Sequence, residues 1–323
     1  MARFVVLGAG AVGGAVGARL FSTGHEVLLV ARGDHGRAIG ENGLRLDSSG
    51  GSEVLQVPVV EALAPGGVEP DDVVLLATKS QDTRDALDQL VAAGGPGVPV
   101  VCMQNGIANE VAALRRFEAV YGMVVIVPGT HLEPGVVVLS AAEPCGSLHL
   151  GRFPSGRDDR CELVAGALQV AGFWSDPLED VMAWKRAKLL MNLANALQAL
   201  CGLTADTADL AAAARKEARA CFAAAGAGVV DEATFLDRAR PWGPAPAAGA
   251  GRAGGSSWQS LARGVGTIET DYLNGEIALL GRLHGVPTPV NALLQWLAGE
   301  QARLGAPPGA VPPASIRARL GWG

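Results

Sequence analysis

An apolar run at the N-terminus, Phe4-Val5-Val6-Leu7, breaks into Gly8-Ala9-Gly10-Ala11-Val12-Gly13-Gly14. Further apolar runs alternate with helical stretches, and from Leu178 onward the β signal gives way to helical periodicity. Together these observations predict an α/β chain: a Rossmann-type doubly wound sheet followed by an all-α C-terminal domain. A length of 323 residues suits two domains of ordinary size, placed over 1–176 and 177–323 with the boundary in the 174–180 stretch.

The opening run is read as a first strand feeding a glycine loop and then a helix, the arrangement that binds dinucleotides. Gly8 permits the tight turn, Gly10 lets the backbone approach a pyrophosphate, and Gly13 lets the helix pack closely on its strand. Ala9, Ala11 and Val12 complete the loop, whose phosphate site would be the helix N-terminus. The helix runs on through Ala15 to Thr23 and stops at Gly24. The next strand, His25 to Ala31, ends at Arg32, about where an NAD-type fold offers a carboxylate to the ribose diol. A guanidinium there pairs with a 2′-phosphate, so NADP (NADPH) is favoured over NAD.

Residues 33 to 70 hold polar turns and short β-like pieces such as Ser52 to Val60, in no order that the sequence settles. Asp72 to Thr78 is a buried strand, followed by Lys79-Ser80-Gln81-Asp82-Thr83 and a helix to about Val91. Pro99 to Met103 is the next strand, closed by Gln104-Asn105-Gly106. The glycine loop, Arg32, Lys79 and Asn105 all fall at carboxyl ends of strands, where such sheets bind ligands. Met123 to Val127, Val136 to Leu139 and Ser147 to Leu150 are expected to extend the same sheet, and a helix from Arg160 to Ala171 leads to the boundary. Arg240 to Gly255 is rich in Pro, Gly and Ala and is expected to be a flexible loop.

Charge and composition exclude several partner classes. A net charge of -6 and pI near 5.4 argue against a nucleic-acid surface. No run reaches the roughly 18 apolar residues of a spanning helix, and the chain enters its first strand without a charged leader, so no membrane association and a cytoplasmic location are expected. Cys102, Cys145, Cys161, Cys201 and Cys221 are widely spaced with no C-x-x-C pair, so they are expected to be reduced thiols without metal or disulfide. Small molecules remain as partners.

The helix over Trp184 to Leu197 places Lys188, Asn192 and Asn195 at i, i+4 and i+7, an ammonium and two carboxamides on one face of an apolar segment. Asparagine is disfavoured inside helices, and such groups require polar partners that a ligand would supply. Further on, Ser256-Ser257 leads into a helix carrying Glu269, Asp271 and Glu276, among which spacing alone does not choose.

At these residues the chain resembles the ketopantoate reductase (2-dehydropantoate 2-reductase) family. The resemblance runs through Gly8-Ala9-Gly10-Ala11-Val12-Gly13, Thr78-Lys79-x-Gln81, Gln104-Asn105-Gly106, Lys188-x-x-x-Asn192, Ser256-Ser257, Glu269-x-Asp271-Tyr272-x-Asn274-Gly275 and His284-Gly285-x-Pro287-x-Pro289-x-Asn291. It implies an N-terminal domain that binds NADPH and a helical domain that closes over a small 2-keto acid, with ketopantoate to pantoate as the named reaction. Lys188 matches the family's catalytic lysine, and Asn105, Asn192, Ser257 and Glu269 match its substrate and cofactor contacts. Lys79 matches the lysine that approaches the cofactor. Ammonium chemistry agrees: hydride arriving at a ketone carbon builds charge on oxygen, which a positioned lysine stabilises and protonates. Glu269 would hold the substrate hydroxyl or tune Lys188. The family's second asparagine, eight residues after the lysine, is Ala196 here, with Asn195 as the nearest carboxamide. That departure leaves open another keto acid or an imine as substrate. A third reading is a non-catalytic NADPH-sensing protein, against which Lys188 and Glu269 both count. The apolar helical domain is compatible with a homodimer.

Overall fold

The structure, a computed structural model, describes residues 2–239, 254–264 and 266–322. The loop expected over Arg240 to Gly255 therefore lies, up to residue 253, outside the described residues.

The apolar runs become strands whose buried backbone groups are satisfied by neighbouring strands. In chain order these are β1 (Phe4–Leu7), α1 (Ala11–Ser22), β2 (Val27–Val30), α2 (Gly33–Asn42), β3 (Leu44–Ser48), β4 (Gly51–Leu55), β5 (Val59–Val60) and β6 (Val73–Leu76). A 3-10 turn (Ser80–Asp82), α3 (Thr83–Gly94), β7 (Val100–Cys102), α4 (Asn109–Leu114), β8 (Val120–Ile126), β9 (Gly129–Thr130), β10 (Val136–Leu139), β11 (Ser147–Arg152) and α5 (Asp159–Val170) follow. The main sheet has the order β11-β8-β7-β6-β1-β2-β5. It is parallel from β8 to β5, and β11 is added antiparallel to β8. The order reverses at β1, so the loop after β1 lies at the switch point of a doubly wound sheet.

One strand goes elsewhere. Val136 to Leu139 does not extend the main sheet; β10 joins a second sheet of order β4-β3-β10-β9. Its partner is β3, with Val136 opposite Arg45 and Leu139 opposite Ser48, from the stretch whose order the sequence left unsettled. Gly14 of α1 leaves room for this sheet, since a Cβ there would lie 2.8 Å from Val137 Cγ2.

The helices that follow are α6 (Val181–Asn192), α7 (Asn195–Cys201), α8 (Ala208–Ala224), α9 (Glu232–Arg238), α10 (Ser256–Ala262), a 3-10 turn (Glu269–Tyr272), α11 (Asn274–His284), α12 (Pro289–Arg303) and α13 (Pro313–Arg319). The chain divides into two units. The first holds residues to Gln104, Ala108–Lys185 and the segment with α9; the second holds Asn105–Ile107, Arg186–Asp231 and α10 to α13. The change after Lys185 falls inside α6. The 174–180 stretch is hydrogen-bonded to the sheet. Leu148 N donates to Trp174 O (2.7 Å) and Leu178 N to Leu150 O (2.7 Å). The segment with α9 returns to the first unit because Arg238 bonds Asp176 (3.2 Å) and lies 5.4 Å over the Trp184 ring.

The second unit has its own core, including Leu189, Leu193, Leu197, Leu210, Phe222, Ile277 and Leu294. The helix expected through Leu197 is interrupted at Leu193 and Ala194, between α6 and α7. The interruption exposes the Leu193 carbonyl to Asn274 Nδ2, which donates to it (3.2 Å) and to Asn291 Oδ1 (3.0 Å). Asn291 Nδ2 in turn donates to Ala214 O (2.9 Å) and Glu217 Oε2 (2.7 Å). Glu217 also accepts from the backbone N–H groups of Val290 and Asn291, satisfying the start of α12. Asn274 and Asn291 are fully buried, so these motif residues hold the fold of the unit.

Replacing Asn274 by Ala leaves the Leu193 carbonyl and Asn291 Oδ1 without their donor. The variant should lose about 2–4 kcal/mol of unfolding free energy in urea at unchanged m-value. A loss below about 0.5 kcal/mol would show that the broken helix does not depend on this network.

Candidate active site

The glycine loop follows from close approach. Gly8 has φ +107°, and a Cβ on it would meet Thr78 N at 2.8 Å. A Cβ on Gly13 would lie 2.1 Å from Gly8 O and 2.9 Å from Ala77 Cβ, so α1 rests directly on the ends of β1 and β6. Gly10 differs: nothing lies within 4 Å of its missing Cβ. Gly10 N-caps α1 without a side-chain hydrogen bond, and the first turn of α1, from Ala11 and Val12, carries no acidic residue. That end presents free backbone donors and a positive dipole, which suit a phosphate.

Ala9 is buried, and its carbonyl contacts His35 Nε2 at 2.7 Å. Gly135 N donates to His35 Nδ1 at 2.9 Å, so the proton of the neutral ring is on Nε2, donating to Ala9. Burial, then the His131 ring 4.0 Å away, push the His35 pKa down and favour this neutral form. Arg32 stands exposed at the N-cap of α2, just past β2. Lys79 precedes the 3-10 turn after β6. That turn is tied to the end of β7 by buried bonds from Gln104 Nε2 to Thr83 Oγ1 (2.8 Å), Thr83 Oγ1 to Asn109 Oδ1 (2.8 Å) and Asn109 Nδ2 to Ser80 Oγ (3.1 Å).

In the second unit, Lys188 Nζ donates to Asn192 Oδ1 at 3.2 Å. Burial lowers the Lys188 pKa from 10.5 to about 8. Asn192 is 5% exposed and its Nδ2 has no hydrogen-bond partner among the described residues, a donor that a ligand oxygen would satisfy. Ser257 is buried in the first turn of α10, and Glu269 is buried in the turn before α11. Gly106 has φ +83°, and a Cβ on it would lie 2.8 Å from Tyr272 O, so Asn105-Gly106 lies against the turn that bears Glu269.

Asn195 opens α7, just after the break at Leu193 and Ala194. Its Oδ1 lies 3.0 Å from the position of a Cβ on Gly255, and Gly255 N donates to the neighbouring Gln198 Oε1 at 3.2 Å. The pair thereby steadies the start of α10, which carries Ser257. Sequence reasoning also passed over Lys185 and Glu110, an ion pair at 2.6 Å with side chains 3% and 0% exposed. The available signal was a lysine three residues before Lys188 and a glutamate just past Gln104-Asn105-Gly106.

Among the described residues no helix is long and apolar enough to cross a membrane, and no cluster of His, Cys, Asp or Glu could hold a metal ion.

Residues 4–155 match the family profile described as Ketopantoate reductase PanE/ApbA, and residues 180–301 match its C-terminal counterpart. A 2-dehydropantoate 2-reductase of Mesorhizobium japonicum is 31% identical over 343 residues, covering 93% of this chain and 98% of that protein. The chain belongs to the ketopantoate reductase family. A 2-dehydropantoate 2-reductase of Pyrococcus horikoshii is 32% identical over 192 residues, a match that spans 59% of this chain and 61% of the relative's length. Among solved structures, a PanE/ApbA family ketopantoate reductase from Ralstonia eutropha superposes with a TM-score of 0.79 at 29% identity, covering 94% and 99% of the two chains. A D-mandelate dehydrogenase solved with NADH and anilino(oxo)acetate shares the fold, with a TM-score of 0.80 at 23% identity over 94% and 99% of the chains. The Rossmann-type sheet and helical C-terminal domain are those of this family.

Substitutions at the two glycines are expected to separate fold from binding. Gly13→Ala should lower unfolding free energy by at least about 2 kcal/mol, because backbone must move. Gly10→Ala should cost no more than about 1 kcal/mol yet weaken binding of a nicotinamide dinucleotide at least about tenfold in a fluorescence titration. Equal dinucleotide affinity in Gly10→Ala and the parent would remove the loop from the binding site.

Proposed function

We propose that this chain is an NADPH-dependent reductase that converts a 2-keto acid to the 2-hydroxy acid, with 2-dehydropantoate (ketopantoate) to pantoate as the reaction and Lys188 as general acid. The observation that carries the reading is Lys188 itself: an ammonium of lowered pKa, bonded to Asn192 in a helix matched by the family profile. The names of the relatives support the substrate. The open Gly10 and uncapped start of α1 fit a dinucleotide pyrophosphate, and Lys79 is at the end of β6. Arg32, exposed and positive where a ribose 2′-phosphate would be read, supports NADPH over NADH. The N-terminal part, 1–176 in the sequence reading, would hold the dinucleotide, and the helical part, 177–323, the substrate.

NADPH, when bound, supplies the hydride. This chain's part is electrostatic and positional. As negative charge grows on the carbonyl oxygen, the Lys188 ammonium stabilises it and donates the proton, while Asn192 keeps Lys188 oriented and offers Nδ2 to a substrate oxygen. Ser257 and Asn105 would orient hydroxyl and carboxylate groups, and Glu269 would hold the substrate hydroxyl. A pKa near 8 matches the task, since the ammonium is populated at neutral pH yet gives up its proton readily. A second reading, another 2-keto acid as substrate, is favoured by Ala196, which removes a carboxamide from the family pattern.

Following NADPH oxidation with ketopantoate and a panel of 2-keto acids tests the reading directly, and absence of turnover with every member despite NADPH binding would sink it. A preference for NADH would overturn the role of Arg32. The rate of reduction should hold below about pH 8 and fall above it as Lys188 deprotonates, while oxidation of the hydroxy acid rises through the same range. Lys188→Met should lower kcat by about 10²- to 10⁴-fold. The same variant should be more stable than the parent at neutral pH. A lysine whose folded pKa is depressed destabilises the fold fully below about 8, and this cost fades between there and 10.5. Calorimetry at pH 7 and pH 10 reads the difference.

A further inference from the structure

We propose that Lys185, paired with Glu110, is a positioning residue that fixes where the chain leaves the first unit toward Asn105 and toward Lys188. The proposal rests on the reading of those two as site residues. Three oxygens surround the Lys185 ammonium: Glu110 Oε1 at 2.6 Å, Gln104 O at 2.8 Å and Met123 O at 3.2 Å. They come from α4, from the chain just past β7, and from β8. The β7–β8 ladder ends at Cys102 opposite Gly122, so the two carbonyls lie where strand pairing has stopped. Lys185 donates where a further strand residue would have done so. Gly122 gives it passage, since a Cβ there would lie 3.4 Å from Lys185 Cδ and 3.2 Å from Val181 Cγ1.

The placement explains why a charge is kept in a nearly sealed site. A buried ion pair is poor at stabilising a fold, and apolar residues of similar volume commonly replace one without loss. Here Glu110 Oε2 has no hydrogen-bond partner among the described residues, which makes the pair poorer still as a source of stability. What an ammonium provides and an apolar side chain does not is several directed donors on one atom. Gln104 is followed at once by Asn105, and Lys185 precedes Lys188 by one turn of α6. Two of the points at which the chain passes between the units, Gln104 to Asn105 and Lys185 to Arg186, are therefore joined by a single hydrogen bond.

The test is the double variant Lys185→Met/Glu110→Leu, which removes both charges at similar volume. It should unfold below the parent, because the Gln104 and Met123 carbonyls lose their donor, whereas Lys185→Met alone, which also leaves Glu110 buried and unpaired, should unfold lower still. In the double variant kcat should fall about 10- to 100-fold with NADPH affinity unchanged. Amide hydrogen exchange, which needs no substrate, should quicken in peptides covering 104–107 and 186–193 and nowhere else in the second unit. A double variant with parental kcat and parental exchange would make the pair merely structural and overturn the proposal. If the parent turns over no keto acid, the functional reading fails, and the exchange experiment still decides whether Lys185 holds these segments. Should the double variant not fold, Lys185→Met/Glu110→Gln carries the same comparison, and restored exchange protection there would equally overturn the proposal.

Discussion

The absence of a side chain at Gly13 is the constraint on which the first unit depends. With Gly8 O only 2.1 Å from where a Cβ would be, α1 and β1 approach at backbone distance. That approach directs the start of α1 to the switch point of the sheet, leaves Gly10 open, and brings Ala77 and Thr78 at the end of β6 against the loop. The N–H groups at the start of α1, to which the proposed function assigns a phosphate, are therefore held still as a by-product of packing, on a helix that has nowhere to move.

The second unit solves a different problem, that of keeping polar groups among leucines. Asn274, Asn291 and Glu217 answer one another and the Leu193 carbonyl, so their burial is matched by hydrogen bonds. Lys188 and Asn192 are less fully satisfied, with desolvation acting on the ammonium and one amide donor left over. The contrast separates groups that stabilise the fold from the two that the proposed function assigns to the substrate.

What the sequence made legible follows from the range of the interactions concerned. β1, β2, β6 and β7 announce themselves as apolar runs because each is buried on both faces, and the glycine loop because its steric demand is local. Val136 to Leu139 was legible as a strand but not as a member of the second sheet, since its partner at Arg45 to Ser48 is distant in sequence and polar enough to resemble loop. The break after Asn192 carries no glycine or proline, so the sequence reads as one continuous helix from Trp184 to Leu197. Lys188 was identified by its spacing to Asn192, whereas Lys185 and Glu110 are ordinary charges until the fold brings them together.

The pairing of β10 with β3 has a consequence for how the chain is made. The helix behind the glycine loop is flanked by the main sheet on one side and, at Gly14, by Val137 of the second. As the chain emerges from the ribosome, β3 and β4 form early as a hairpin, but β3 keeps an open edge until residues past Leu139 arrive. An N-terminal fragment ending short of that point would present an unpaired edge beside uncovered apolar surface, the arrangement most prone to strand-to-strand aggregation. The first unit is thus a late-closing fold, dependent on a strand synthesised long after the loop it supports.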